Sequence, residues 1–138
     1  SGPRQFPGAE AAVVGVFLTR LARGEQPRIF GDGSQTRDLV YVGDVVDAML
    51  RAAATGTGVY NIGTGRSTSV LDLYIRCCAL AGVAPEPQFA PARTGEIQDN
   101  VVDAGLAQRE LGWVPVTTLE KGLRRTWDWA TETVETND

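Results

Sequence analysis

The chain has no histidine among its 138 residues. That removes the commonest general base and the commonest metal ligand together, so neither a Ser/His/Asp triad nor a zinc site is available. It has a single lysine, Lys121. Cysteine is scarce too: Cys77 and Cys78 stand side by side in a helical pattern, where neighbouring side chains diverge and a mutual disulfide would be strained, so they read as buried thiols. Positive charge is not in excess. A formal net charge of −4, with arginines spread along the chain, gives no basic field for a nucleic-acid backbone and excludes nucleic acid as a partner class. Long hydrophobic runs are missing, and the N-terminus lacks the charged, apolar and small-residue regions of a signal peptide, which points away from a membrane and to the cytoplasm.

What is present is a globular composition, 43% hydrophobic and 22% charged, in a length suited to one compact domain without repeats or low-complexity segments. The opening "SGPRQFPG" reads as loop or as a start cut from something longer. From Ala9 to Arg23 apolar residues recur at helical spacing and Gly24 follows as a stop. "PRIF" and "RDLVYV" are β-prone and flank the turn "GDGSQT". Asp44 stands where an N-cap belongs, ahead of a helix with Val45, Val46, Met49 and Leu50 on its apolar face and an end near Gly56. "GVYNIG" has the content of a buried strand, and "TGRSTS" leads to a capping-box pattern at Ser69 and Asp72 that opens a helix to about Leu80. "VAPEPQFAPA" reads as loop and "RTGEIQDNVVD" as loop and strand. Asp103 then caps a helix stopped at Gly112, and Thr117 with Glu120 caps a last helix carrying Leu119, Leu123, Trp127 and Ala130. The tail from 131 to 138 is expected to fray.

Candidate sites each have a plainer reading beside them. "NIGTGRS" sets Gly-x-Gly between a strand and a helix start, the arrangement that binds phosphate through backbone N–H groups. Thr68 occupies the place of the third fingerprint glycine, and a structural turn is the favoured reading. Arg37 beside Asp38 reads, by itself, as a surface pair. Arg93, close to Gly95 and Glu96, puts a guanidinium and a carboxylate in one loop, with a solvated loop as the equal alternative. Trp127 falls on the apolar face of the last helix and belongs to the core, not to a stacking platform.

Taken in order, "GPRQ", "IFGDGSQTRDLVYVGDVV", "GVYNIGTGRSTSVLDL", "RTGEIQDNVVDAGLAQRELGWVP" and "TLEKGLRRTWDW" resemble the C-terminal portion of the extended short-chain dehydrogenase/reductases, the NAD-dependent sugar-nucleotide epimerases and dehydratases. The likeness runs from about residue 2 to residue 130. It implies an α/β substrate-binding part of a Rossmann-type protein, with about five helices and short strands and without the main parallel sheet.

It implies further that Arg37 and Arg93 approach the diphosphate of a UDP-sugar or other nucleoside-diphosphate sugar and that Glu96 takes a ribose hydroxyl. Phe30 and Arg28 would lie near the base, and Val70 near the uracil or ribose. Glu96 stands where the family often has Asp, and Leu39 where it often has an aromatic.

NAD is the cofactor the resemblance implies for a parent enzyme. Its chemistry needs a glycine-rich loop and a Tyr-x-x-x-Lys pair. Neither occurs: Tyr41, Tyr60 and Tyr74 are followed four positions on by Val45, Thr64 and Cys78, and no Gly-x-x-Gly-x-x-Gly is found. The expectation is a substrate half that neither binds NAD nor catalyses alone. It would pair with a Rossmann half or, through its uncovered apolar face, with copies of itself. The alternatives are a dehydratase, decarboxylase or reductase of the same family, a non-catalytic sugar-nucleotide binding or assembly module, and an unrelated α/β binding module.

Overall fold

The computed structural model describes residues 1–5 and 13–136. In chain order these form α1 (Val13–Ala22), β1 (Arg28–Phe30), β2 (Thr36–Arg37), α2 (Val42–Thr55), β3 (Thr68–Ser69), α3 (Val70–Ala81), β4 (Gln88–Ala90), α4 (Gly105–Leu111) and α5 (Leu119–Thr136). Five helices with short strands are the fold class that the sequence implies. The N-terminal residues 9–12 of the first expected helix lie outside the described residues, as do 6–8 of the opening loop.

The main core is built where α1, α3 and α5 pack together. Val14, Phe17, Leu18 and Leu21 recur at the helical period and form one buried stripe of α1. They meet Leu73, Tyr74, Cys77 and Cys78 of α3 and Leu123 and Ala130 of α5. Each large apolar side chain buried this way stabilises the fold by about 1.5–3 kcal/mol. Phe17 and Tyr74 meet edge to face with ring centroids 5.8 Å apart, an arrangement favoured by the ring quadrupoles. The Tyr74 hydroxyl escapes an unpaired burial by donating to Gln26 Oε1 at 2.6 Å and accepting from the Glu86 N–H at 3.2 Å. Trp127 packs partly buried against this cluster, and both cysteines are buried free thiols, as the helical pattern requires.

A second, smaller cluster joins α2 to α4 through Ala48, Ala107, Leu111 and Trp113. Trp113 Nε1 donates to the Asp44 carbonyl at 2.8 Å, and the buried Asp44 carboxylate accepts from the Thr117 N–H at 3.0 Å and the Thr117 hydroxyl at 3.1 Å. Arg51 of α2 donates to the Leu111 and Gly112 carbonyls, so a cation closes the C-terminus of α4.

Three expected caps are corrected. Asp44 is not the N-cap of α2, which is Tyr41; Asp44 sits in the first turn and spends its carboxylate on a tertiary tie. Thr117, thus engaged, leaves the start of α5 to Thr118, whose hydroxyl accepts from the Lys121 N–H at 3.3 Å. Asp103 stands one residue before the N-cap Ala104 of α4 and accepts from the Gly105 N–H at 2.8 Å.

The strands depart further from the sequence reading. β1 and β2 flank a turn but do not pair with each other: β1 lies parallel to β4, with Ile29 opposite Phe89, and β2 lies antiparallel to β3, with Arg37 opposite Thr68. β4 falls inside "VAPEPQFAPA", expected to be loop, while neither "RTGEIQDNVVD" nor "GVYNIG" forms a strand and Val59 is 90% exposed. Segments of two or three residues take their partners from tertiary neighbours, which propensity does not specify. α5 runs through Thr136, and residues 137 and 138 of the tail lie outside the described residues.

Candidate functional site

The turn after β1 brings the site residues together. Gly31 and Gly33 adopt positive φ, and Asp32 closes the turn by accepting from the Ser34 N–H and hydroxyl, hydrogen bonds that hold the Asp32 carboxyl below its usual range. Gly33 is required twice over: its φ is +79°, and a Cβ there would lie 2.9 Å from Leu71 Cβ. Its carbonyl accepts from the Leu71 N–H, which fastens the turn to the start of α3.

Beyond the turn, the buried Gln35 is a junction. Its backbone carbonyl accepts from the Val70 N–H at 2.9 Å, and its Nε2 donates to the Phe30 carbonyl at 2.8 Å and towards Glu96 Oε1 at 3.4 Å. The next residue, Thr36, donates its N–H to the Gln98 carbonyl, and its hydroxyl donates to Asp99. Arg37 then donates through Nη1 to the Ile97 carbonyl at 2.6 Å and through Nη2 to Glu96 Oε1 at 3.1 Å, with the two side chains only 23% and 28% exposed. In this way β2 braces the loop between β4 and α4.

Four of the six sequence-derived candidates therefore converge. Arg37 pairs with Glu96, and the Arg93 guanidinium lies 3.9 Å from the centroid of the Phe30 ring. Arg28 stands exposed two residues before Phe30, on the same face of β1 and opposite the buried Ile29. Val70 is not brought out with them: its side chain is part of the main core, and only its N–H reaches the site, through Gln35. An aromatic face, two guanidinium forks and a carboxylate in one patch are groups suited to a planar ring, phosphate oxygens and hydroxyls.

Sequence reading missed Gln35 and misassigned Asp38. Arg37 and Asp38 are neighbours in the chain and not partners in space. The Asp38 carboxylate instead accepts from the Thr64 and Gly65 N–H groups of "NIGTG". Those are the donors a phosphate loop would offer, so this Gly-x-Gly is a structural turn. Among the described residues there is also no cluster of His, Cys, Asp or Glu able to hold a metal ion, and no helix long and apolar enough to cross a membrane.

Comparison with known proteins gives a consistent picture. Residues 1–63 match the model of the NAD dependent epimerase/dehydratase family. The chain is 43% identical over 127 residues to a UDP-glucose 4-epimerase of Mycolicibacterium smegmatis, an alignment covering 91% of this chain and 41% of the relative. A dTDP-glucose 4,6-dehydratase of Neisseria gonorrhoeae is 33% identical, covering 93% of this chain and 40% of its own length. Among solved structures, the UDP-glucose 4-epimerase of Thermotoga maritima with UDP-glucose superposes with a TM-score of 0.93 at 44% identity, covering 97% of this chain and 44% of that one. The UDP-glucose 4-epimerase of Thermus thermophilus, solved with NAD, gives 0.86 at 36% identity, with coverage of 94% and 43%. The chain spans about two fifths of the length of these relatives. In sequence and fold alike it belongs to the NAD-dependent epimerase/dehydratase family of extended short-chain dehydrogenase/reductases, of which it represents the C-terminal part.

Proposed function

We propose that this chain is the substrate-binding part of an NAD-dependent nucleoside-diphosphate-sugar epimerase and that its ligand is a UDP-sugar. The observation that carries the reading is the patch itself, in which Phe30, Arg93, Arg37 and Glu96 meet on a braced loop. Similarity to UDP-glucose 4-epimerases, one of them solved with UDP-glucose, supports UDP as the nucleotide.

In this reading Phe30 offers its ring to the base, with Arg28 at the edge of the same strand. Arg37 and Arg93 hold diphosphate oxygens, Glu96 accepts from ribose hydroxyls, and Val70 backs the pocket from the core. The chain's own share is binding and orientation. Hydride chemistry would require the dinucleotide loop and the tyrosine–lysine pair, neither of which the sequence contains. The 138-residue chain alone should therefore leave UDP-glucose unchanged. A cytoplasmic setting, and association with a Rossmann half or with copies of the chain, belong to the same proposal.

The similarity to a dTDP-glucose dehydratase favours one second reading, in which the same patch serves a dehydratase or a related decarboxylase or reductase. A non-catalytic sugar-nucleotide module is separated from both by the coding sequence upstream of Ser1. A glycine-rich loop and Tyr-x-x-x-Lys encoded there would mark a catalytic parent.

Calorimetric titration with UDP and UDP-glucose tests the site directly. Saturable binding is expected, weakened about tenfold or more by Arg37→Ala and by Arg93→Ala, the scale of one lost charge-assisted hydrogen bond. Equal affinity in both variants would remove the phosphate roles. No saturation at millimolar nucleotide would sink the claim that this chain carries the pocket by itself.

A further inference from the structure

Residues 91–101 are all exposed and lie outside every helix and strand, yet they carry Arg93 and Glu96. β2 braces the middle of this loop at residues 96–99, and the placing of those two side chains depends further on how the loop is tied at its ends. One end is held by the β1 to β4 ladder, extended by the Gly31 N–H donating to the Ala90 carbonyl. The other end is held by Asp38.

We infer that Asp38 is the positioning residue of this site, its carboxylate fastening the strand that carries Arg37 to the far stem of the loop that carries Arg93 and Glu96. The inference rests on the nucleotide reading of the patch and deepens it. Oδ1 accepts from the Thr64 N–H at 2.9 Å and the Thr64 hydroxyl at 2.5 Å. Oδ2 accepts from the Thr64 N–H at 3.0 Å, the Gly65 N–H at 3.0 Å and the Val102 N–H at 3.2 Å. A carboxylate offers about four acceptor positions, and here they serve three backbone donors and one hydroxyl from two separate segments.

The junction is closely built. A Cβ on Gly63 would lie 2.5 Å from Val102 Cβ and 2.8 Å from Asp38 Oδ2, so glycine is what lets the turn, the loop stem and the carboxylate approach. Asparagine has the shape of Asp38 but only one acceptor oxygen. In either flip its NH2 would face an N–H donor, so Asp38→Asn breaks one side of the clamp without adding bulk.

Backbone NMR of this chain, wild type and Asp38→Asn, followed by titration with UDP, tests the inference. The expected result is that heteronuclear NOE values of Gly95 to Asp99 fall while the amide shifts of α1 and α5 stay in place, and that UDP affinity drops about tenfold. Placed in an Arg93→Ala, Glu96→Ala background, Asp38→Asn should change affinity less than about twofold, because both loop contacts it supports are already gone. A merely structural residue would weaken both backgrounds alike, and that outcome overturns the proposal. If Asp38→Asn does not fold, Thr64→Val removes one donor, keeps the carboxylate and allows the same comparison on a smaller scale. Unchanged order at Gly95 to Asp99 in the folded variant overturns the clamp whether or not nucleotide binds. Order lost there, in a chain whose wild type ignores UDP, supports the clamp and overturns instead the claim that this chain carries the nucleotide pocket by itself.

Discussion

Cys77 and Tyr74, one turn apart on α3, are both excluded from solvent. Burial pushes the Cys77 thiol up to about 12, and burial, followed by the neighbouring Cys78, pushes the Tyr74 hydroxyl up to about 12. Both groups are neutral when protonated, so the folded state retains protons that the unfolded chain has released. Their stabilising contribution is complete below the unfolded values, 9.0 for the thiol and 10.0 for the phenol, and is lost as pH rises towards 12. The unfolding free energy from urea titrations should hold steady up to about pH 9 and then fall, at about 1.4 kcal/mol per pH unit for each group in its window, with the midpoint falling in step. A midpoint unchanged at high pH would show that these side chains are wetter than the packing implies. The same residue scale explains why Asp38 was misread. Successive side chains of an extended segment point to opposite faces, so adjacency in the chain makes Arg37 and Asp38 look paired while placing them on different partners. Arg37 finds Glu96, and Asp38 finds Thr64, Gly65 and Val102.

At the level of elements, α3 was readable because its signals are local. Ser69 is its N-cap and accepts from the Asp72 N–H at 3.1 Å, while Gly82 ends it in the left-handed conformation at φ 69°. The capping box is only half formed, since Asp72 turns to Arg76, which also reaches Glu120 at the start of α5. Ser69→Ala should cost about 1 kcal/mol in urea denaturation. A loss near zero would mean that the pairing of β3 with β2, not the cap, sets where α3 begins. The helices that were read less accurately, α2 and α5, were misplaced at their starts because Asp44 and Thr117 are good capping residues that the fold uses on each other.

Across the whole molecule, α2 turns only one side inward. Asp44 and Ala48 are buried, whereas Val42, Val46, Met49 and Leu50 form an outward stripe with exposures of 44%, 48%, 66% and 66%. Val46, Met49 and Leu50 stand on the apolar face that the sequence shows at helical spacing, while Val42 belongs to the expected strand "RDLVYV"; the direction of the face is set by the small α2 to α4 cluster around Trp113. An apolar face of this kind drives association. Light scattering on the 138-residue chain should show a mass that rises with concentration, and Leu50→Glu should shift it towards monomer. A monomer at every concentration in the wild type would sink this expectation.

Sequence by itself determined the helices of the main core, the glycine stops, the buried state of the two cysteines and the family, because these depend on periodicity, on residue-specific φ and on ordered motifs. It also named Phe30, Arg37, Arg93 and Glu96. Only the tertiary structure decided which strand pairs with which, that Val70 faces the core, and that Gln35 and Asp38 hold the patch together. Those are contacts between residues separated by up to 64 positions, as Asp38 and Val102 are, and local propensity contains no information about separations of that size.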